Sequence, residues 1–439
     1  MLNYSVAELR YYMKTISIAK VPYTAKIFYM FMMFMWVASV SDYTSFNFGK
    51  NPILMPAFLI ILAFYYIKYC HKSYKPLWIV LFLNILWNIV SYFKYGGYIG
   101  INFPPFYSII IVHVAFNIYS KEDFLYYFEK MLVMFCSISL IVWLFANILG
   151  TPFVSFMRSI SVIQPSPPTE TYSFLFGLCS HIQMGIRRNL GFTWEPGRFA
   201  CWILLGMYFN LVRNKFNIKN KSFIILFLSL LTTLSTTGYS LLVVLILFVL
   251  MNKKSKLSKV IIVLCVVLVF PTVWGLSIMS DKIEGLMDLD AGLGSIEYHS
   301  VEDGMAIVCP QRFTGIYVSF MNFVNDIFLG FNQLSNSYVS AVLYKHSVIV
   351  APSEGIIGIL AKYGIFYGAF FYYWLIKSSS YLSSSLGYKG KLMFFLLFMG
   401  ISFSYEFWEN SILMYFYLCA FYHKFDERYF DVKPTKARL

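Results

Sequence analysis

Twelve apolar stretches, separated by mostly short polar connections, run through this chain of 439 residues. An α-helix needs about 20 apolar residues to cross the hydrocarbon core of a bilayer. Backbone polar groups cannot be left without partners in lipid, so such segments must be helical. Charged residues make up only 13% of the chain, about half of their usual share in a soluble domain. We therefore predict an all-α polytopic membrane protein with about 12 transmembrane helices.

The predicted spans share high hydropathy and a length near that of a membrane crossing. They cover residues 25–41, 52–69, 76–93, 103–119, 131–149, 198–213, 221–235, 237–251, 260–279, 355–376, 391–405 and 408–424. No soluble domain separates from them, so we treat residues 1–439 as one integral membrane domain. Several charges precede the first apolar run, which is typical of an uncleaved anchor rather than a signal peptide.

The placement of charge predicts the orientation of the chain. With the amino terminus inside, 25 of the 35 lysine and arginine residues fall in inner segments, and 14 of the 21 acidic residues in outer ones. Basic residues concentrate in cytoplasmic segments of membrane proteins. We therefore predict that both termini are cytoplasmic. The net charge of +14 reflects this topology, and we expect membrane lipids but no nucleic acid as partners.

Two connections are long, residues 150–198 and residues 280–354, and both lie on the predicted outer (periplasmic) side. In the first, the apolar stretch Tyr172–Ile186 is too short for a span, so we predict an interfacial or re-entrant helix. In the second, Pro310 fits the first turn of a helix that ends near Gly330. One face of that helix would carry Arg312, Ile316, Phe320 and Phe323. Short interfacial helices in both loops are thus expected.

Arginine is distributed unlike lysine. Half of the 10 outer basic residues are arginine, against 4 of the 25 inner ones. The outer arginines are Arg158, Arg187, Arg188, Arg198 and Arg312. A guanidinium group grips phosphate or carboxylate through paired N–H groups. We interpret all but Arg158 as a candidate pyrophosphate clamp; pairing with loop acids or lipid phosphates is the alternative, and for Arg158 the favoured one.

Four further residues are candidates for chemistry. Glu195 precedes Pro196 at a predicted helix start, so its carboxylate either caps that helix or acts as a general base. His346 could take a proton from a sugar hydroxyl, with a plain surface histidine as the alternative. Glu406 and Glu409 share one helix face and form a candidate sugar-binding pair.

Other polar features have simpler explanations. The turn Leu231–Tyr239 carries hydroxyl groups that satisfy freed backbone groups, a role favoured over catalysis. The seven cysteines lack metal-binding spacing, and the sequence has no phosphate-binding glycine loop, so we predict no metal and no cofactor. Cys179 and Cys309 fall in different outer loops, where free thiols are favoured over a disulfide.

Four segments carry a resemblance to a known family. Trp194–Ala200 reads WEPGRFA and looks like its EPG segment, and Ser235–Tyr239 looks like its S-x-x-G turn. Arg312, followed by Phe328–Phe331, looks like its second-loop arginine helix and glycine end. Glu354–Leu360 looks like the start of the next span. With the two long outer loops, they resemble the O-antigen polymerase (Wzy) family, within the wider O-antigen ligase-like group.

The resemblance implies a metal-independent membrane glycosyltransferase of lipopolysaccharide biosynthesis in the bacterial inner membrane. It would move a glycan chain from undecaprenyl pyrophosphate onto a lipid-linked repeat unit, alongside a chain-length regulator and a flippase of the same pathway. An O-antigen ligase and a lipid-linked sugar transporter are the alternatives. The chain departs from the family at Arg187, which has nine residues before Gly197 where some members have ten. His346 is followed by Ser347, whereas the ligases carry asparagine there.

Overall fold

A computed structural model describes most of the chain. The described residues are 23–39, 57, 60–61, 75–95, 103–160, 171–173, 177–183, 185–193, 195–253, 298–302, 305–308, 310, 312–331, 334–343, 348–352, 354–408 and 410–425. The predicted span at 260–279 and nearly all of that at 52–69 lie outside them. So do His346, Glu409 and Cys309.

The described chain is mostly helical. Its helices are α1 Tyr23–Ser39, α2 Lys75–Tyr95, α3 Phe103–Ile118, α4 Lys121–Ile148, α5 Thr151–Ser159, α6 Pro196–Arg213, α7 Lys221–Thr232, α8 Thr236–Asn252, α9 Arg312–Asn325, α10 Gly358–Leu386, α11 Met393–Ser402 and α12 Ser411–Phe425. Ten of the predicted spans coincide with these helices, while α5 and α9 lie in the two long loops. Three described helices, α2, α4 and α10, are long and apolar enough to cross a membrane, which indicates a membrane protein.

Two helices form the centre of the bundle. Nearly every residue of α6 and most of α12 are buried, as expected for helices that are apolar on all sides. α6 packs against α4, α7 and α8, and α12 packs against α3 and α10. The Phe209 and Phe416 rings stack at 4.4 Å between these two central helices. Such a pair contributes about 0.5–1.5 kcal/mol beyond the burial of its area.

The first long loop contains strands where we predicted an interfacial or re-entrant helix over Tyr172–Ile186, so that prediction is wrong. An antiparallel sheet forms instead, with strands β1 Thr171–Ser173, β2 Gly177–Gln183 and β3 Ile186–Asn189. Gly185 has a φ of 76°, a left-handed conformation that glycine adopts without strain and that turns the chain between β2 and β3. The paired strands satisfy the backbone groups that a helix would have satisfied.

The second long loop contains the predicted amphipathic helix together with a small sheet. Strands β4 Tyr298–Glu302 and β5 Met305–Val308 pair antiparallel, and β6 Val348–Val350 joins β5 in parallel. α9 begins at Arg312, two residues after the predicted first-turn Pro310, and ends at Asn325 rather than near Gly330. Its exposed residues include Tyr317, Phe320 and Val324, an apolar face that suits a helix at a membrane surface.

The end of the second loop docks into a break in α10. Gly364 interrupts this helix with a φ of 74° and a ψ of 180°. On either side of the break, Phe331 N–H donates to the Ala361 carbonyl (3.0 Å) and Ile365 N–H donates to the Ile327 carbonyl (2.7 Å). The segment after α9 therefore provides partners for backbone groups around the break, and α10 fixes its position.

A tryptophan from α2 secures the same junction. The indole N–H of Trp87 donates to the Tyr363 carbonyl at 3.0 Å and lies 3.2 Å from the Leu329 carbonyl. An interrupted helix at membrane depth is tolerated only where its freed backbone groups find partners in the protein. The carboxyl end of α9 is thus held by both α2 and α10.

Candidate functional site

Glu195 lies at the start of α6 without capping it. Pro196 occupies the first turn, and the Glu195 side chain makes no capping hydrogen bond to the helix. Its Oε1 instead lies 3.8 Å from Nη2 of Arg312. The carboxylate is therefore turned toward Arg312 in the second long loop. The sequence left open whether Glu195 caps the helix or acts as a base, and the cap is not formed.

Arg312, the first residue of α9, links three elements. Besides the Glu195 contact, its Nη1 donates to the Thr237 hydroxyl at 2.5 Å. That hydroxyl lies 3.0 Å from the hydroxyl of Ser404, in the turn after α11. The starts of α6, α8 and α9 and the end of α11 therefore meet at one point.

An aromatic ring completes the site. The Tyr405 ring is 4% exposed and is contacted by two guanidinium groups, with the Arg198 carbon 6.0 Å and the Arg312 carbon 5.6 Å from its centroid. Arg198 also lies 5.1 Å from the centroid of Phe407. Both distances to Tyr405 are within the range of a cation–π contact. We call Glu195, Arg198, Thr237, Arg312, Ser404 and Tyr405 the arginine–tyrosine cluster.

Gly197 allows Tyr405 to approach α6. A Cβ atom at this position would overlap the Tyr405 hydroxyl and lie 3.4 Å from Oε1 of Glu195. The glycine that follows Pro196 is thus required by close packing, and the phenol and the Glu195 carboxylate face the same small space.

Arg188 has a different environment from Arg198 and Arg312. Its Nε and Nη2 donate to the carbonyls of Thr233 and Leu234, at 3.0 and 3.1 Å. Carbonyls at a helix end lack helical partners, and a cation near them is favoured by the helix dipole. Arg188 therefore stabilises the turn between α7 and α8, the turn that brings Thr237 to the cluster.

Arg187, directly before Arg188 on β3, is attached to the bundle through backbone hydrogen bonds. Its N–H donates to Oδ1 of Asn147 at 2.8 Å, and its carbonyl accepts the indole N–H of Trp143 at 2.6 Å. Both partners are on α4, so these bonds attach the first-loop sheet to the bundle.

The turn Leu231–Tyr239 combines the expected structural role with a second one. The Thr232 and Thr233 hydroxyls donate to carbonyls one turn earlier, and the Ser235 hydroxyl accepts the Gly238 N–H at 3.1 Å. These bonds satisfy backbone groups as predicted. Thr237 is the exception, because its hydroxyl faces Arg312.

Two acidic residues lie beside the cluster. Glu406 is exposed, whereas Glu354 is fully buried, with Oε2 accepting the N–H groups of Ile356 (2.8 Å) and Ile357 (3.0 Å). A Cβ on Gly358 would lie 3.5 Å from Oε1 of Glu406 and 3.6 Å from that of Glu354. The two carboxyl groups thus flank the first turn of α10.

Glu354 should make stability depend on pH. Burial raises its pKa above 4.5, although hydrogen bonds from Ser319 and backbone amides lower it. The folded protein holds the Glu354 proton more tightly than the unfolded chain does. Protonation of Glu354 therefore stabilises the fold fully below pH 4.5, and this stabilisation is lost as pH rises through the pKa of Glu354 in the folded protein. We expect Glu354→Gln to gain thermal stability relative to the parent protein between about pH 4 and 8.

The measurement is the thermal midpoint of the detergent-purified protein across that range. Glu406→Gln, at the exposed neighbour, is the control and should follow the parent curve. Parallel curves for the parent and Glu354→Gln would contradict the assignment.

The sequence had not singled out Thr237, Ser404, Tyr405 or Glu354 individually. Ser404 and Tyr405 sit in a polar interruption between two apolar runs, directly before Glu406, which is the one local signal that marks them. Among the residues that the structure describes, no three His, Cys, Asp or Glu side chains are grouped to hold a metal ion.

Compared with known proteins, the chain shows no significant match to a protein-family model, a curated protein or a solved structure.

Proposed function

We propose that this protein is a polysaccharide polymerase of the bacterial inner membrane, which transfers a glycan chain from undecaprenyl pyrophosphate onto a lipid-linked repeat unit. The observation that carries the proposal is the convergence of Arg198 and Arg312, from the two long outer loops, on Tyr405 beside Glu195. Two arginines suit a diphosphate leaving group. A neighbouring carboxylate suits an acceptor that must lose a proton.

In the proposed reaction, the acceptor hydroxyl oxygen forms a bond to the anomeric carbon of the growing chain. The bond from that carbon to the diphosphate oxygen breaks, and its electron pair remains on the lipid diphosphate. Arg198 and Arg312 stabilise the charge that develops there. The proton of the acceptor passes to the Glu195 carboxylate and then to solvent. The guanidinium groups provide the positive charge, so the step uses no metal and no soluble cofactor.

The loose Arg312–Glu195 contact favours such an exchange of partners. The atoms are 3.8 Å apart, and the side chains are 27% and 31% exposed. An ion pair of this kind contributes only about 0–1 kcal/mol. A diphosphate can therefore replace the carboxylate as the partner of Arg312, which leaves Glu195 able to accept the proton of the sugar hydroxyl.

Helix lengths support a recessed site. α7 has 12 residues and α11 has 10, which correspond to about 18 and 15 Å at the helical rise per residue. In the proposed topology of 12 spans with cytoplasmic termini, both begin at the inner surface. Their outer ends then lie inside a hydrocarbon core about 30 Å thick. Exclusion of water there strengthens the attraction between arginine and phosphate.

The other candidate site residues have secondary roles in the proposed reaction. Arg188 holds the turn that carries Thr237, and Arg187 remains a candidate for binding pyrophosphate. Glu406 stays a candidate sugar ligand at the exposed side of the cluster, together with Glu409. His346 remains the alternative base. A chain-length regulator and a flippase are the proposed protein partners.

A gene deletion and an assay with purified protein test this function together. Loss of a polymerase should leave lipid A cores that carry a single repeat unit, whereas loss of a ligase leaves bare cores. The purified protein should lengthen lipid-linked repeats in detergent, which a transporter would not do. Bare cores in the deletion strain, or no lengthening by well-folded protein, would overturn the proposal.

A further inference from the structure

We propose that Tyr405 is a positioning residue that sets the spacing of Arg198 and Arg312, so that the site prefers a lipid diphosphate over a lipid monophosphate. This inference rests on the proposed function and deepens it. It concerns a residue that does not react but determines where the two charged groups lie.

The Tyr405 ring is suited to this role because it is immobilised. It is 4% exposed, and its hydroxyl packs against Gly197. The backbone is fixed as well, since the Tyr405 N–H donates to the Ile401 carbonyl at 3.2 Å and its carbonyl accepts the Phe407 N–H at 3.0 Å. A ring held in this way provides a rigid reference for flexible arginine side chains.

Two guanidinium groups that converge repel each other, and the electron-rich face of an aromatic ring offsets part of that cost. Arg198 lies 6.0 Å and Arg312 lies 5.6 Å from the same centroid. The ring therefore gives both cations one shared contact in the absence of an anion. Without the ring, the position of each guanidinium group would depend only on the helix that carries it.

The paired arrangement matches a ligand with two adjacent phosphoryl groups. Each guanidinium presents paired N–H groups that bind phosphoryl oxygens. A diphosphate offers one phosphoryl group to each arginine, whereas a monophosphate must share a single group between them.

The test measures lipid binding by the full-length protein in detergent, with undecaprenyl diphosphate and undecaprenyl monophosphate as the probes. Tyr405→Phe keeps the ring and should retain the preference for diphosphate. Tyr405→Leu should weaken diphosphate binding about tenfold and change monophosphate binding little. Phe407→Leu is the matched control, because that ring contacts Arg198 and not both arginines in the described contacts.

Fluorinated phenylalanines incorporated at position 405 cover the case in which Tyr405→Leu does not fold. Fluorine withdraws electrons from the ring face while preserving its shape, so diphosphate affinity should fall stepwise with each fluorine. Unchanged affinity across this series, or an unchanged preference in Tyr405→Leu, would overturn the positioning role. Parent protein that binds neither lipid would instead count against the proposed polymerase function.

Discussion

Replacing Arg312 with alanine should lower the rate of polymer lengthening about 100- to 1000-fold, the loss typical of removing one group that stabilises transition-state charge. Arg312 is the one residue whose described contacts join Glu195, Thr237 and Tyr405. Its loss removes half of the proposed positive charge beside the leaving group. The measurement is the rate of lengthening of lipid-linked repeats by purified protein, normalised to the folded fraction.

Arg158→Ala provides the matched control for this variant. It removes an arginine of the first long loop, on α5, which lies outside the arginine–tyrosine cluster. We expect it to retain activity within about twofold, as for most surface substitutions. Arg312→Lys keeps the charge but lacks the planar fork, so it should recover only part of the rate. Near-normal lengthening by Arg312→Ala at normal protein levels would refute the clamp.

Gly364→Ala should have the largest effect on stability, with an expected loss of about 2–6 kcal/mol. The backbone at Gly364, with a φ of 74° and a ψ of 180°, lies in a region that is essentially restricted to glycine and costs a residue with a Cβ about 1–3 kcal/mol. The new methyl group would also overlap the Phe328 carbonyl, and forced overpacking adds about 1–3 kcal/mol. The adjoining bonds that dock the second loop would be disturbed. The yield and thermal midpoint of purified protein measure the loss.

Gly387→Ala is the control for a positive φ without a steric contact. Gly387 has a φ of 71° with a ψ of 36°, and a Cβ there meets no atom within 4 Å. This control therefore carries only the cost of a left-handed backbone, about 1–2 kcal/mol. Equal destabilisation by the two substitutions would show that the contact with Phe328 is unimportant and that the docking of the loop tolerates a methyl group.

Local signals in the sequence located half of the candidate site. A first-turn proline marked the start of α6, and Pro310 with apolar periodicity marked α9. These signals placed Glu195, Arg198 and Arg312 at helix starts. They could not reveal that the Thr237 hydroxyl accepts a hydrogen bond from Arg312, 75 positions further along the chain. Nor could they reveal that Ser404, 167 positions after Thr237, contacts the same hydroxyl. Such contacts depend on how helices pack, which periodicity does not encode.

The wrong prediction in the first loop has a related cause. The run from Tyr172 to Ile186 is apolar enough to be interfacial, and hydropathy alone does not separate a helix from paired strands of that length. The deciding feature is Gly185, whose left-handed turn allows β3 to fold back on β2. The same turn brings Arg188 to the carbonyl end of α7.

The anchoring of α9 determines how precisely Arg312 is placed. Its carboxyl end is joined to α10 through main-chain bonds around Gly364, while Arg312 at the other end is engaged through its side chain. Between the two ends, Val318 packs against Val339, and Oδ1 of Asn322 accepts the Val339 N–H at 2.9 Å. A ligand that reaches the cluster therefore meets a helix supported along its length, and the adjustment to that ligand falls to the Arg312 side chain.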